Sequence, residues 1–129
     1  MCTILFADDT DTVRQLFCEA LRRSGYRVLE AEDGTKALSV ARSYPGPIHL
    51  LITDITMPRM GGMELRRAIR GCHPETSVLF ISGYSEDALD AGDPFLQKPF
   101  TPTGLLVKAA EILQESEAPR ALASLVSPW

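Results

Sequence analysis

Four short apolar runs, Ile4-Leu5-Phe6-Ala7, Leu50-Leu51-Ile52-Thr53, Val78-Leu79-Phe80-Ile81 and Phe95-Leu96-Gln97, are each followed at once by a polar residue: Asp8-Asp9, Asp54, Ser82 and Lys98. Unbroken apolar runs of this length suit strands buried on both faces. Segments of helical periodicity lie between them, and strands alternating with helices imply a parallel sheet covered on both sides. In such a sheet, ligands bind beyond the carboxyl ends of the strands. The pattern therefore places three carboxylates, a hydroxyl and an amine on one edge, a grouping suited to a divalent cation and a phosphoryl group.

The spacing of Val13, Leu16, Phe17, Ala20 and Leu21 predicts a helix with one buried face, closed by Gly25. Arg27 to Ala31 reads as a strand, residues 34–44 as a helix, and Pro45-Gly46-Pro47 as a stop before the strand that ends at Asp54. After a loop marked by Met57-Pro58 and Gly61-Gly62, a helix over residues 63–70 would bury Leu65, Ala68 and Ile69. The last helix starts near Pro102, a favourable first position, and would bury Leu105, Leu106, Ala109, Ile112 and Leu113. The fourth crossover is short. Only 12 residues separate Ser82 from Phe95, and α/β connections take about 2–6 residues each, so any helix there is limited to residues 86–91. Beyond residue 115, Leu122, Leu125 and Val126 could form an amphipathic turn or two, but a frayed terminus is the expectation.

A chain of 129 residues, 45% hydrophobic, fits one domain with a real core. Lys and Arg total 13 against 17 Asp and Glu, and a net charge of -4 gives no general attraction to nucleic acid or to anionic membranes. Cys2, Cys18 and Cys72 are odd in number and far apart, which suggests neither a zinc cluster nor a disulfide framework, and makes a reducing, cytoplasmic setting the default. The first strand begins by Thr3, leaving no room for a signal peptide, and no apolar run approaches transmembrane length.

Each polar strand-end residue has a bland reading beside a sharp one. An Asp between strand and helix commonly caps free amides, which would explain Asp8 or Asp9 singly. Two adjacent acids repel each other, and a bound cation would remove that penalty. Asp54 could bond the turn ahead of Met57-Pro58. With Asp8 and Asp9 in reach, the three carboxylates, the backbone carbonyl of Thr56 and water would make a hard-cation site suited to Mg²⁺. Asp54 could then act as a nucleophile toward a phosphoryl group. Lys98 could be merely solvated, or could place a point charge on phosphoryl oxygens. Ser82 could start the Gly83-Tyr84 turn, or reach a phosphoryl oxygen and pull the following loop with it. Tyr84 reads as a turn residue, and Phe95 as either core or switch. His49 and His73 lack metal-spaced or nucleophilic partners and read as structural.

These residues, from Thr3 to Leu113, resemble the response-regulator receiver family. The resemblance rests on Asp8-Asp9, Asp54 with Met57-Pro58 and Gly62, Ser82-Gly83 and Lys98-Pro99-Phe100, in that order at successive strand ends. The stretches at 82–87 and 95–100 are similar to the receivers of hybrid sensor histidine kinases. The resemblance implies a flavodoxin-like, doubly wound five-stranded parallel sheet of order 2-1-3-4-5, here with a shortened or missing fourth helix. It implies phosphotransfer from a phosphohistidine of a sensor histidine kinase or histidine phosphotransfer protein to Asp54. Asp8, Asp9, Asp54 and the Thr56 carbonyl would hold Mg²⁺, Ser82 and Lys98 would contact the phosphoryl group, and Ser82 and Phe95 would switch. It also implies a cis bond before Pro99 that aims Lys98 into the site.

The short crossover trims the family's usual output face, so an intact phosphorylation site beside an altered output surface is expected. Residues 1–115 then form the receiver and 116–129 a tail with no output domain, which leaves signalling to protein–protein contact or onward phosphotransfer. Two other readings stand. Asp9-x-Asp11-x-Val13 also matches the nucleophile motif of haloacid-dehalogenase-like phosphatases, with Asp9 phosphorylated and Asp11 as general acid; so short a match is weak, and no acidic pair follows the lysine. The other is a receiver-shaped adaptor that is never phosphorylated.

Overall fold

The computed structural model describes residues 1–83 and 94–126, with side-chain detail up to Gln114. Among the described residues nine elements follow in chain order: β1 (Thr3–Ala7), α1 (Asp11–Arg23), β2 (Arg27–Ala31), α2 (Gly34–Ser43), β3 (Leu50–Asp54), α3 (Gly62–Cys72), β4 (Ser77–Ser82), β5 (Phe95–Gln97) and α4 (Pro102–Val126). The strands form one sheet in the order β2-β1-β3-β4-β5, every pair parallel. The expected order is therefore observed. The turns expected over residues 86–91, and Tyr84, lie outside the described residues.

Alternation along the strands builds two cores. Ile4, Phe6, Leu50, Ile52, Leu79 and Ile81 face α1 and α4, where Phe17, Leu21, Leu105, Ala109 and Ile112 meet them. Leu5, Ala7 and Leu51 face α2 and α3, against Ala37, Leu38, Ala41, Leu65 and Ile69. β1 and β3 are buried at every position, as an apolar run between two helical layers must be. Each large side chain removed from water here contributes about 1.5–3 kcal/mol.

The helices begin and end for local reasons. Gly25, at φ 98°, turns the chain after α1 in the left-handed region that favours glycine. Asp33 caps α2, its Oδ1 accepting from the Lys36 amide at 2.8 Å. The start of α2 and the loop before α3 approach closely because Gly34 lacks a side chain: a Cβ there would lie 2.2 Å from the Met60 carbonyl oxygen.

Two expectations need correcting. Leu16, expected on the buried face of α1, is 53% exposed. The stripe instead runs through Phe17, Cys18 and Leu21, and Leu16 lies one position to its side. The tail expected to fray is helical as far as Val126; strong helix formers fill much of residues 111–118 and carry the helix on without needing a buried face. His49 and His73 each bond the backbone of another element. His49 Nδ1 accepts from the Thr3 amide at 2.9 Å, and His73 Nε2 bonds the Ala41 carbonyl at 2.8 Å.

Candidate functional site

The carboxyl ends of β1, β3, β4 and β5 deliver the polar residues to one edge. Asp8 follows β1 directly, and its amide donates to the Ala31 carbonyl at 3.1 Å, which carries the sheet one bond further. The chain then turns tightly, and the Thr10 amide donates to Asp8 Oδ1 at 2.9 Å. Asp8 is thus fully buried, while Asp9, pointing away from the core, is exposed. Asp54 closes β3 and is 8% exposed. The Thr56 amide donates to its Oδ1 at 3.3 Å, so the turn reading of Asp54 holds alongside any other role.

Lys98 joins these groups. Its Nζ donates to Asp54 Oδ2 at 3.0 Å and to Asp8 Oδ2 at 3.1 Å, so the alternative of a merely solvated lysine does not hold. Two features of the chain put it there. The Lys98–Pro99 bond is cis, and Phe100 packs on Phe17 of α1 with ring centroids 4.7 Å apart, anchoring the loop just past the lysine. Ser82, at the end of β4, is buried, and its carbonyl accepts from the Lys98 amide at 2.7 Å. Gly62 matters for the same reason of space: a Cβ would stand 2.3 Å from the Asp54 carbonyl oxygen, so only glycine lets α3 start this close to the end of β3.

Oxygen atoms of Asp8, Asp9 and Asp54 lie within 4.8 Å of one another. Hard oxygen donors at this spacing fit a small divalent cation, and the adjacent buried like charges give the fold a reason to accept one. Burial pushes the Asp54 carboxyl above its ordinary value, and Asp8 adds to the rise; the pull of Lys98 and the Thr56 amide only partly offsets this. For Lys98, burial works to lower the ammonium, but the bonds to Asp54 and Asp8 outweigh it and hold it raised.

Of the residues expected at the site, Asp8, Asp9, Asp54 and Lys98 are brought together, Ser82 adjoins them through the backbone, and Thr56 stands at the rim. Phe95 is half-buried, paired in register with Phe80 at the far end of β5 from Lys98. Asp11 lies in the first turn of α1, paired with Arg14. Sequence reasoning missed Arg14, whose Nη1 donates to the Asp8 carbonyl at 2.8 Å. It also missed Arg59, at φ 68°, whose Nη1 meets Asp33 Oδ2 at 2.9 Å and ties the β3–α3 loop to α2. A signal for Arg14 existed in a cation placed in a first helical turn, where the helix dipole disfavours it.

Comparison with known proteins identifies the family. Residues 4–110 match the model of the response regulator receiver domain. The sensor kinase CckA of Brucella abortus is 36% identical over 121 residues, which cover 89% of this chain and 13% of that protein. A solved receiver domain from the hybrid histidine kinase CckA is 41% identical with a TM-score of 0.78, covering 87% of this chain and 99% of that one. The response regulator receiver protein CpdR of B. abortus is 37% identical over 106 residues, 78% of this chain and 87% of that protein. The response regulator TrrA of Thermotoga maritima, solved in complex with Mg²⁺-BeF, is 31% identical with a TM-score of 0.75, covering 87% of this chain and 99% of that one. The chain thus spans about an eighth of the sensor kinase but most of CpdR. Among the described residues no helix is long and apolar enough to cross a membrane.

Proposed function

The chain belongs to the response-regulator receiver family, and on that premise we propose that it accepts a phosphoryl group on Asp54 from the phosphohistidine of a sensor histidine kinase or histidine phosphotransfer protein. As a receiver domain it is a module of two-component signalling rather than a classical enzyme. The observation that carries the proposal is the pair of hydrogen bonds from the Lys98 ammonium to Asp8 and Asp54 beside the exposed acid Asp9.

In this reading Asp8, Asp9, Asp54 and the Thr56 carbonyl hold Mg²⁺, which when bound supplies positive charge to the phosphoryl oxygens. The Mg²⁺-BeF complex of TrrA supports the choice of ion. An Asp54 oxygen attacks phosphorus, the phosphorus–nitrogen bond of the phosphohistidine breaks, and the imidazole leaves with the electron pair and takes a proton. Burial keeps water from competing at Asp54. Lys98 gives its ammonium to the oxygens of the arriving group, a point charge where negative charge is spread in the transition state. Ser82 offers its hydroxyl to the same group, and its movement with that of Phe95 makes the switch. Residues 1–115 carry this chemistry. The signal leaves by protein–protein contact or by onward phosphotransfer.

The test is labelling with acetyl phosphate in the presence and absence of Mg²⁺, with the labelled residue mapped by borohydride reduction and mass spectrometry. Mg²⁺-dependent label on Asp54, lost entirely in Asp54→Ala, is the expected result. Label on Asp9 would instead favour the phosphatase reading, for which Asp11, exposed and paired with Arg14, offers no support. No label from acetyl phosphate or a partner kinase would leave an adaptor.

A further inference from the structure

We propose that Arg14 is a positioning residue for Asp8, fixing the backbone between β1 and α1 so that the Asp8 and Asp9 carboxylates converge. The inference rests on the reading of Asp8, Asp9 and Asp54 as a cation site.

Arg14 sits in the first turn of α1, the positive end of the helix dipole, and its side chain is only 13% exposed. Both facts oppose a cation, so something must hold it there. Its guanidinium has three partners. Nη1 donates to the Asp8 carbonyl at 2.8 Å, Nη2 to Asp11 Oδ1 at 2.5 Å, and Nε lies 3.4 Å from Glu30 Oε1 on β2. Glu30 is itself held, by Arg22 Nη1 at 2.9 Å. Asp11 is largely exposed and such a pair contributes little to stability. The fully buried partner is Asp8.

A guanidinium is a rigid planar fork, so contacts at Nε and Nη2 fix the direction of Nη1. Arg14 is thereby braced between the neighbouring strand and its own helix, and delivers a donor to one backbone oxygen. Asp8 is then held at every polar atom: its amide by Ala31, its carbonyl by Arg14, Oδ1 by Thr10 and Oδ2 by Lys98. The Thr10 amide meets Oδ1 only while the chain turns tightly after Asp8, and the bond from Arg14 to the Asp8 carbonyl holds that turn. A lysine at this position would keep the charge but lose the fork.

The sign of one measurement separates positioning from mere charge. A cation near three carboxylates weakens Mg²⁺ binding by repulsion, so a purely electrostatic Arg14 predicts tighter binding when it is removed. Positioning predicts the opposite. Mg²⁺ binding to wild type, Arg14→Met and Arg14→Lys would be measured by titration calorimetry on folded protein, alongside hydrogen exchange of the Thr10 amide in the metal-free proteins. Removing groups that orient metal ligands costs roughly 10–100-fold in affinity. We expect about tenfold weaker Mg²⁺ binding in Arg14→Met, faster exchange at Thr10, and Arg14→Lys between the two. Unchanged or tighter Mg²⁺ binding in folded Arg14→Met would overturn the proposal. Should that variant not fold, wild-type affinity and wild-type Thr10 protection in Arg14→Lys would overturn it. If the wild type itself takes up no Mg²⁺, the cation reading fails instead, and Thr10 exchange alone decides: equal protection in wild type and variant overturns positioning.

Discussion

At the amino ends of the strands, polar groups find close neutral partners, whereas at the carboxyl ends charges are gathered with too few. Thr3 and His49 exchange bonds, the Thr3 amide donating to His49 Nδ1 at 2.9 Å and the His49 amide to the Thr3 carbonyl at 2.8 Å. The Thr76 hydroxyl donates to the Ile48 carbonyl at 2.7 Å, and the Ser77 amide to the His49 carbonyl at 3.1 Å. At the opposite edge, Asp8 and Asp54 share one ammonium and Asp9 adds a third negative charge. One end is arranged so that nothing further is needed. The other is stable enough to fold yet gains from an added cation, which is how a binding edge differs from a structural one.

The contrast breaks first at Lys98. In Lys98→Ala, loss of one preorganised charge should slow labelling of Asp54 about 100-fold or more. Stability should fall by about 1–3 kcal/mol, because Asp8 is left buried without its charged partner; Mg²⁺ should restore part of that loss. Labelling rates and urea denaturation check both, and wild-type labelling in the variant would remove Lys98 from the chemistry.

A pH series sharpens the comparison. Asp54 is raised above 3.8, mainly by burial, so the folded state holds its proton more tightly than the unfolded one. Folding therefore gains from protonated Asp54 below pH 3.8, and loses that gain as pH rises through the higher folded value. In metal-free protein, the stability of wild type relative to Asp54→Asn should fall across that window, and Mg²⁺ should flatten the trend. Lys98, raised above 10.5 by its two carboxylate bonds against the effect of burial, contributes fully below 10.5 and fades as pH climbs through its folded value. A difference between wild type and Asp54→Asn that stays flat without metal would contradict the account of Asp54.

The smallest effect belongs to the quiet end. Thr76→Val should cost about 1 kcal/mol through the lost bond to Ile48 and leave labelling untouched. A change in labelling would mean that the two edges are coupled.

Much of the pocket was legible because parallel strands buried on both faces announce themselves, and their next residues must fall on a shared edge. Asp8, Asp54, Ser82 and Lys98 followed from that geometry, and the cis bond before Pro99 from the family resemblance, not from periodicity. The position of Arg14 carried a signal, but its bonds to the Asp8 carbonyl and to Glu30 were not legible. Helical spacing reports which apolar side chains share a face, but a long polar side chain crosses to another element, and nothing in its own spacing names the acceptor. Leu16 shows the other limit: an apolar residue one step from the stripe reads as buried until the neighbouring elements are in place. Arg59 was hidden because its left-handed backbone is ordinarily signalled by glycine or asparagine.

The bond from the Lys98 amide to the Ser82 carbonyl has a mechanical meaning. The two strand ends are yoked through the main chain, so a shift of one is passed to the other. A small tug on the hydroxyl-bearing residue would pull on the neighbouring strand through that bond. On the proposed function, occupancy of the pocket would thus reach the outer border of the sheet through the main chain as well as through the side chains of the switch.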